Sequence, residues 1–324
     1  MRAVLFALPE DVERFEPVLR RCRGAEALLA PGRFLPAVRD SRDLVREALR
    51  QRGWMPRERA AREFDRILTT TRVAPSAVAA WLAPGGRTVV WNEAGVRSRW
   101  HLGLQTPPRA AAQPEIAAIA APTDDVLEGV HPEHATAVGD PLLDASFEAG
   151  AASRARHALG LRGERPVVLV LLDAIPDPLW AASLAALRSE ADLVVLMSDA
   201  LCLAGDGGSW PRVLTGPGIH LVEALGTCRR ADAIAVADLV VGQPGTLLDA
   251  AWRRGRRTLT LQERGGAHAP KPRFDGPTVD APEHVRTAVL DLLVQEIRSV
   301  EATSGAAARL AAVLDSRALD LAAL

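Results

Sequence analysis

The apolar run Val167-Val168-Leu169-Val170-Leu171-Leu172, between Pro166 and Asp173, indicates the fold class most directly. Such an unbroken run without alternation predicts a strand that is buried on both faces, which is typical of a parallel sheet covered by helices. The residue after such a strand lies at its carboxyl end, where doubly wound sheets bind ligands. Asp173 is therefore the first candidate site residue.

Shorter runs of the same kind alternate with helical patterns along the whole chain, which predicts βαβ units. The first series of predicted strands is Arg2–Leu8, Ala25–Leu29, Arg66–Thr70, Thr88–Trp91, Ile116–Ala120 and Thr136–Val138. The second series is Val167–Leu172, Leu193–Met197, Ile219–Val222, Leu239–Val241 and Thr258–Leu261. We therefore expect an α/β chain with two mainly parallel sheets in two Rossmann-like domains.

The domain boundary is predicted near residue 150, within a polar, alanine-rich stretch that separates the two series of strands. This gives an N-terminal Rossmann-like domain over residues 1–150 and a C-terminal Rossmann-like, nucleotide-binding domain over 151–300. In residues 301–324, leucines and valines at helical spacing predict a C-terminal packing helix. The alternative is that this helix recruits a partner.

Composition and charge exclude several classes of function. The 324 residues have a formal net charge of −1, so the sequence gives no general attraction to nucleic acid. No apolar run approaches the roughly 20 residues that a membrane span requires. We expect a protein that binds neither nucleic acid nor a membrane.

Cysteine and histidine spacing gives no metal site and no disulfide framework. The three cysteines are far apart and form no C-x-x-C pair, and the seven histidines show no ligand spacing. We therefore expect no metal, no cofactor and a reducing, cytoplasmic setting. Lys271 is the only lysine, so a single arginine is weaker evidence for function here than in a chain that uses both residues.

Four segments that follow predicted strands carry polar residues that could face a ligand. They are Leu8–Asp11, Asn92–Ser98, Gly139–Asp144 and Gly242–Asp249. Backbone N–H groups at the start of the helix after Gly242 could hold a phosphate.

Together, these segments resemble motifs of the non-hydrolysing UDP-N-acetylglucosamine 2-epimerases. The family's G-T-R-P-E resembles Ala7-Leu8-Pro9-Glu10, its H-V-E-A-G-L-R-S/T resembles Trp91–Ser98, and its a-P-T resembles Ala121-Pro122-Thr123. Its G-N-x-x-x-D-A resembles Gly139–Ala145, and its D-S-G-G-x-x-E-E-A resembles Gly242–Ala250.

The resemblance implies a GT-B arrangement, with a UDP-sugar in the cleft between the domains. The family eliminates UDP across C1 and C2 and adds it back with the opposite configuration, which requires an acid, a base and groups that hold the diphosphate. The expected catalytic residues are Glu93 and, as a replacement base, Asp173. The expected nucleotide- or sugar-binding residues are Pro9, Glu10, Arg97, Arg109, Gly245, Thr246 and Asp249. The family often dimerises, so a homodimer or a subunit of a complex is expected.

Several family carboxylates have no counterpart here, so ordinary 2-epimerase catalysis is not expected. The family's G-D-T aspartate falls near Arg72, and its P-E-E-x-N-R falls on 104–109, where Arg109 alone is kept. Pro244 replaces a glycine of the phosphate loop and has no N–H to donate. The leading hypothesis is a 2-epimerase-like protein that binds a nucleotide or nucleotide-sugar. The alternatives are a non-catalytic interaction or regulatory subunit, and a redirected glycosyltransferase or nucleotide-sugar hydrolase.

Each candidate also has an ordinary structural explanation that the sequence leaves open. Glu93 and Arg97 can be solvated turn residues, and Asp249 can be a first-turn acid that the helix dipole favours. Asp173 can cap the following turn, and Arg109 can be solvated on a proline-rich loop. The cluster Arg253–Arg257 fits cations at a helix end better than a nucleic-acid site.

Overall fold

The computed structural model describes most of the chain. The described residues are 1–30, 41–71, 73–92, 115–122, 124–127, 135–161, 163, 165–172, 177–197, 214, 216–222, 226–262, 274, 276–295 and 305–315.

The first sheet is six-stranded and parallel. Its strands are β1 Arg2–Phe6, β2 Glu26–Leu29, β3 Phe64–Thr70, β4 Leu82–Trp91, β5 Glu115–Ala121 and β6 Ala135–Ala137. Their order across the sheet is β2-β1-β3-β4-β5-β6, and every neighbouring pair is parallel. The direction of winding therefore reverses between β1 and β3.

The second sheet is also six-stranded and parallel. Its strands are β7 Val167–Leu172, β8 Asp192–Met197, β9 Ile219–Val222, β10 Leu239–Gly242, β11 Arg257–Leu261 and β12 Thr278–Val279. Their order is β12-β11-β10-β7-β8-β9, and every neighbouring pair is parallel. This is the strand order of a Rossmann fold, with its reversal between β7 and β10.

Strand β7 occupies the position that its sequence predicts. All six of its residues are buried, and it pairs with β8 on one side and with β10 on the other. All eleven predicted strands are present, so the expectation of two mainly parallel sheets is confirmed. The prediction missed β12, because its two residues, Thr278 and Val279, are too few to form a pattern.

Helices connect the strands. The α-helices are α1 Pro9–Arg21, α2 Ser41–Gln51, α3 Pro75–Ala79, α4 Pro141–Ser146, α5 Ala151–Leu159, α6 Pro178–Ala186, α7 Arg230–Val236, α8 Thr246–Arg253, α9 Val285–Leu293 and α10 Ala306–Asp315. One-turn 3₁₀ helices lie at Asp124–Leu127, Leu187–Ser189 and Pro282–His284. None of the helices in the described ranges is long and apolar enough to cross a membrane.

The chain divides into two compact units. The first unit comprises Met1–Asp144 and the C-terminal stretch from Thr303, and the second comprises Ala145–Ala302. The core of the first unit includes residues such as Leu5, Ile67 and Trp81, which are almost completely buried. The core of the second is built on β7 and on the helices α6 and α9.

Helix α10 packs against the first unit. Its apolar residues Leu310, Val313 and Leu314 have no exposed surface. The two arginines at positions 2 and 66 donate hydrogen bonds to backbone carbonyls in its last turn.

The start of α10 is held by a single carboxylate. Asp144 Oδ1 accepts hydrogen bonds from the backbone N–H groups of Gly305 at 2.9 Å and Ala306 at 3.1 Å, and Oδ2 accepts one from Ala307 at 2.8 Å. These N–H groups have no partner within the helix, so Asp144 caps α10 from a distant part of the sequence.

Replacing Asp144 by alanine should therefore loosen α10. We expect a loss of about 1–2 kcal/mol from the missing cap. Cys22 reports on this opening, because its Sγ lies 3.8 Å from the carbonyl oxygen of Ala311 in α10. In a background with Cys202 and Cys228 replaced by serine, a thiol reagent should label Cys22 roughly tenfold faster in the variant. Equal labelling rates would contradict this role for Asp144.

Candidate functional site

The strand orders identify where each unit can bind a ligand. In doubly wound sheets, ligands lie beyond the carboxyl ends of the strands at the point where the winding reverses. In the first unit this point lies between β1 and β3, and in the second it lies between β7 and β10.

In the second unit, Gly242 lies at this point and is in close contact with β7. It pairs with Leu171, and a Cβ at Gly242 would lie 2.8 Å from the Leu171 Cβ and 3.1 Å from the Leu171 carbonyl oxygen. Both atoms belong rigidly to the neighbouring strand. The close approach of the two strands therefore requires glycine at position 242.

Helix α8 begins four residues later, at Thr246, with backbone donors that the helix itself does not use. Gly245 is its N-cap, in extended conformation, and the first bond of the helix runs from the Asp249 N–H to the Gly245 carbonyl at 3.0 Å. The N–H groups of the first three helical residues, from Thr246 onwards, therefore have no acceptor within the helix. Such a start can receive an anion.

Helix α6, which follows β7, begins differently. Its N-cap is Asp177, whose Oδ1 accepts a hydrogen bond from the Leu179 N–H at 2.8 Å. A carboxylate therefore already occupies the position that an anion would take. Of these two helix starts, α8 is the one that suits a phosphate.

Asp249 is buried one turn into α8. Only 7% of its surface is exposed, and its Oδ2 lies 4.0 Å from Nη2 of Arg253 on the same helix. Its position in the first turn fits the ordinary structural explanation for Asp249, and the expected ribose contact stays a prediction.

In the first unit, the residues after β1 form the expected helix start. Pro9 is buried at the first position of α1, and Glu10 follows in its first turn. Asp11 Oδ2 accepts hydrogen bonds from the backbone N–H groups of Ala7 at 3.0 Å and Leu8 at 2.9 Å. The helix start therefore already carries a negative charge, and sugar binding by Pro9 and Glu10 stays a prediction.

The residue directly after β4 is held by the 3₁₀ helix that follows β5. Asn92 is almost fully buried, and its Nδ2 donates a hydrogen bond to the Val126 carbonyl at 3.2 Å. The predicted site residues Glu93, Arg97, Arg109 and Asp173 lie outside the described residues.

The segment Gly139–Asp144 has structural roles. Asp140 Oδ1 accepts hydrogen bonds from Arg14 Nε at 3.1 Å and from the Leu142 N–H at 2.9 Å, and so it both caps α4 and pairs with α1. The side chains of this ion pair are only 3% and 4% exposed. Gly139 has φ of 78°, and a Cβ there would lie 3.1 Å from the Ala306 Cβ, so glycine lets α10 approach.

Sequence reasoning missed these contacts. Arg14 and Asp140 are 126 residues apart, and no spacing rule connects them. No sequence pattern connects Asp144 with the start of α10 either, since Asp144 and Gly305 are 161 residues apart.

Arginines of the cluster at residues 253–257 donate hydrogen bonds to backbone carbonyl groups at the ends of helices. Arg254 Nη2 donates to the carbonyl of Ser146 at the end of α4, and its guanidinium carbon lies 4.0 Å from the Phe147 ring centroid. Arg256 donates to the carbonyl of Ala235 in the last turn of α7. Arg257 donates to a carbonyl just beyond the end of α9. These contacts support the interpretation as cations at helix ends.

Among the residues that the structure describes, no group of three or more histidine, cysteine, aspartate or glutamate side chains is placed to hold a metal ion.

Solved structures with similar folds are known. The UDP-GlcNAc 2-epimerase from Neisseria meningitidis, bound to UDP-GlcNAc, is 12% identical with a TM-score of 0.60; the match covers 97% of this chain and 99% of that one. Anabaena Alr3699/HepE in complex with UDP-glucose is 11% identical with a TM-score of 0.54, over 98% and 94% of the two chains. The wall teichoic acid polymerase TagF is 9% identical with a TM-score of 0.57, over 97% and 88%.

This likeness confirms the predicted fold class, an α/β chain whose two parallel sheets match the two Rossmann-like domains of GT-B structures. At these identities the likeness shows the fold alone. No protein-family model matches the sequence, and neither does any curated protein.

Proposed function

We propose that this protein binds a nucleotide or nucleotide-sugar at the carboxyl edge of its second sheet. The phosphate is held by backbone N–H groups at the start of α8, next to Gly245 and Thr246. The observation that carries this proposal is the start of α8 at the point where the sheet reverses: its N-cap Gly245 brings no capping side chain, whereas Asp177 caps the start of α6. Structural neighbours crystallised with UDP-GlcNAc and UDP-glucose support the choice of ligand class.

The other candidate residues are proposed to contribute to ligand binding. Glu93 and Asp173 are the candidate acid and base, and Arg97 and Arg109 are the candidate cations for the diphosphate. Pro9 and Glu10 are proposed to contact the sugar, and Asp249 is proposed to contact the ribose.

We infer that the protein does not carry out ordinary 2-epimerisation. Proton removal from C2 of a sugar needs a positioned base, and losing a single acid or base group commonly costs 10²–10⁴-fold in rate. The sequence lacks several of the carboxylates expected from the 2-epimerase family. This loss favours a binding protein, such as a regulatory subunit, or an enzyme with a redirected reaction.

Two measurements test the proposal in steps. Calorimetric titration with UDP and with UDP-GlcNAc should show binding of both, whereas inorganic phosphate alone should bind far more weakly. The absence of binding by either nucleotide would overturn the proposal. Incubation with UDP-GlcNAc in D₂O should then leave C2 free of deuterium. Deuterium at C2 would contradict the inferred loss of 2-epimerase catalysis, although it would agree with the proposed binding of a nucleotide-sugar.

A further inference from the structure

Two register partners at the carboxyl edge of the first sheet each carry a buried polar side-chain atom. Thr70 is the last residue of β3 and Trp91 is the last residue of β4, and they are register partners. Their exposed fractions are 1% and 0%. Thr70 Oγ1 and Trp91 Nε1 are both buried, and neither has a hydrogen-bond partner in the part of the chain that the structure describes.

Both side chains lie on the sheet face that α1 covers. Register partners in a parallel sheet point to the same face, and neighbouring strands are about 4.8 Å apart. The Trp91 ring meets Phe15 edge to face at a centroid distance of 5.9 Å, and the guanidinium carbon of Arg14 lies 5.9 Å from the Trp91 ring centroid. The two polar atoms are therefore enclosed by α1.

A buried polar group without a partner costs about 1–3 kcal/mol. The indole N–H can only donate a hydrogen bond, whereas the threonine hydroxyl can donate and accept. One small molecule that accepts from Trp91 and donates to Thr70 satisfies both groups. Buried water commonly makes two to four such bonds, so it suits two polar groups of this kind.

We propose that a structural water molecule bridges Trp91 Nε1 and Thr70 Oγ1 beneath α1. This site is independent of the nucleotide site proposed for the second unit. It ties the ends of β3 and β4 to each other on the face that α1 covers.

Two other threonines of the same strands provide matched controls. Thr69 and Thr88 are fully buried, and their hydroxyls also have no partner among the described residues. Their register partners are Val90 and Ile67, which belong to the apolar core of the first unit. Neither hydroxyl therefore has a polar register partner that could share a water molecule with it.

Urea unfolding of three threonine-to-valine variants tests the bridge. Thr70→Val should raise the unfolding equilibrium constant of the first unit about tenfold, since it breaks the bridge and leaves the indole N–H of Trp91 unsatisfied. Thr69→Val and Thr88→Val should leave the constant unchanged or lower it, because they replace an unsatisfied hydroxyl by a methyl group of the same size. If Thr70→Val behaves like the two controls, the proposal is wrong.

NMR spectroscopy can detect the proposed water molecule directly. In protein labelled with ¹⁵N-tryptophan, the indole N–H of Trp91, identified through its contact with the Phe15 ring, should show a cross-relaxation signal to water. The signal should persist in Thr70→Ser, which keeps the hydroxyl, and should disappear in Thr70→Val. A wild-type indole with no water signal would also overturn the proposal.

Discussion

Replacing Asp140 by alanine should lower the free energy of unfolding of the first unit by about 3–5 kcal/mol, the range for breaking a buried ion pair from one side. The variant keeps the Arg14 guanidinium in its almost fully buried position but removes the carboxylate 3.1 Å from its Nε. It also removes the acceptor for the Leu142 N–H at the start of α4. Urea unfolding followed by tryptophan fluorescence measures the loss.

Two further variants separate the charge from the cap. Asp140→Asn keeps an acceptor for the Leu142 N–H and should lose less than Asp140→Ala. The double variant Arg14→Met with Asp140→Asn has no buried positive charge. Its loss of unfolding free energy should therefore be smaller than the sum of the losses measured for Arg14→Met alone and Asp140→Asn alone. A loss below about 1 kcal/mol for Asp140→Ala would show that this pair contributes little.

The second large effect is an alkaline loss of stability that depends on Cys22. Burial, together with the negative charge of Asp315, raises the pKa of the Cys22 thiol to about 12. An unfolded thiol has a pKa of about 8.5, so the unfolded state loses this proton first. The protonated Cys22 thiol therefore contributes its full share to the free energy of unfolding below about pH 8.5. This contribution is lost as the pH rises toward 12, at about 1.4 kcal/mol per pH unit. By pH 11 the loss amounts to about 3 kcal/mol.

The composition makes this effect measurable. The chain contains no tyrosine and a single lysine, and arginine stays charged in this range, so few other side chains titrate between pH 9 and 11. In a reduced background with alanine at positions 202 and 228, the protein with Cys22 should show the slope and its Cys22→Ala counterpart should not. Equal slopes in both proteins would contradict the assignment to Cys22.

The sheets could be predicted from the sequence because burial on both faces leaves a strong local record. Val167–Leu172 is apolar at every position, and even the three-residue strand β6 was predicted from its sequence. Strand β12 was missed because Thr278 and Val279 are too short to differ from a loop. The strand order follows from pairing over long distances in sequence, which local patterns do not contain.

The candidate site was harder to predict, because a motif does not distinguish a ligand contact from an internal contact. Gly242 and Gly245 lie where the sequence placed them, at the end of β10 and the start of α8. In contrast, Asp140 and Asp144 of a comparable segment bind Arg14 and the start of α10. These partners come from other parts of the chain, and only the fold brings them together.

The arginines show why composition matters. With Lys271 as the only lysine, arginine takes every other cationic position, including those that bind helix ends. The hydrogen bonds of Arg254 and Arg256 to the carbonyls of Ser146 and Ala235 are of this kind. A basic cluster in such a chain is therefore weak evidence for a polyanion partner.

The central claim is that a phosphate binds at the start of α8, and one calorimetric comparison tests it most directly. Gly245 is extended, with φ of −174°, so other residues can adopt its backbone conformation, and both aspartate and asparagine are good N-caps. The two variants have nearly the same shape and differ in charge. UDP should bind Gly245→Asp at least about tenfold more weakly than Gly245→Asn, because like charges placed together cost several kcal/mol. Equal UDP affinity for the two variants would contradict the claim.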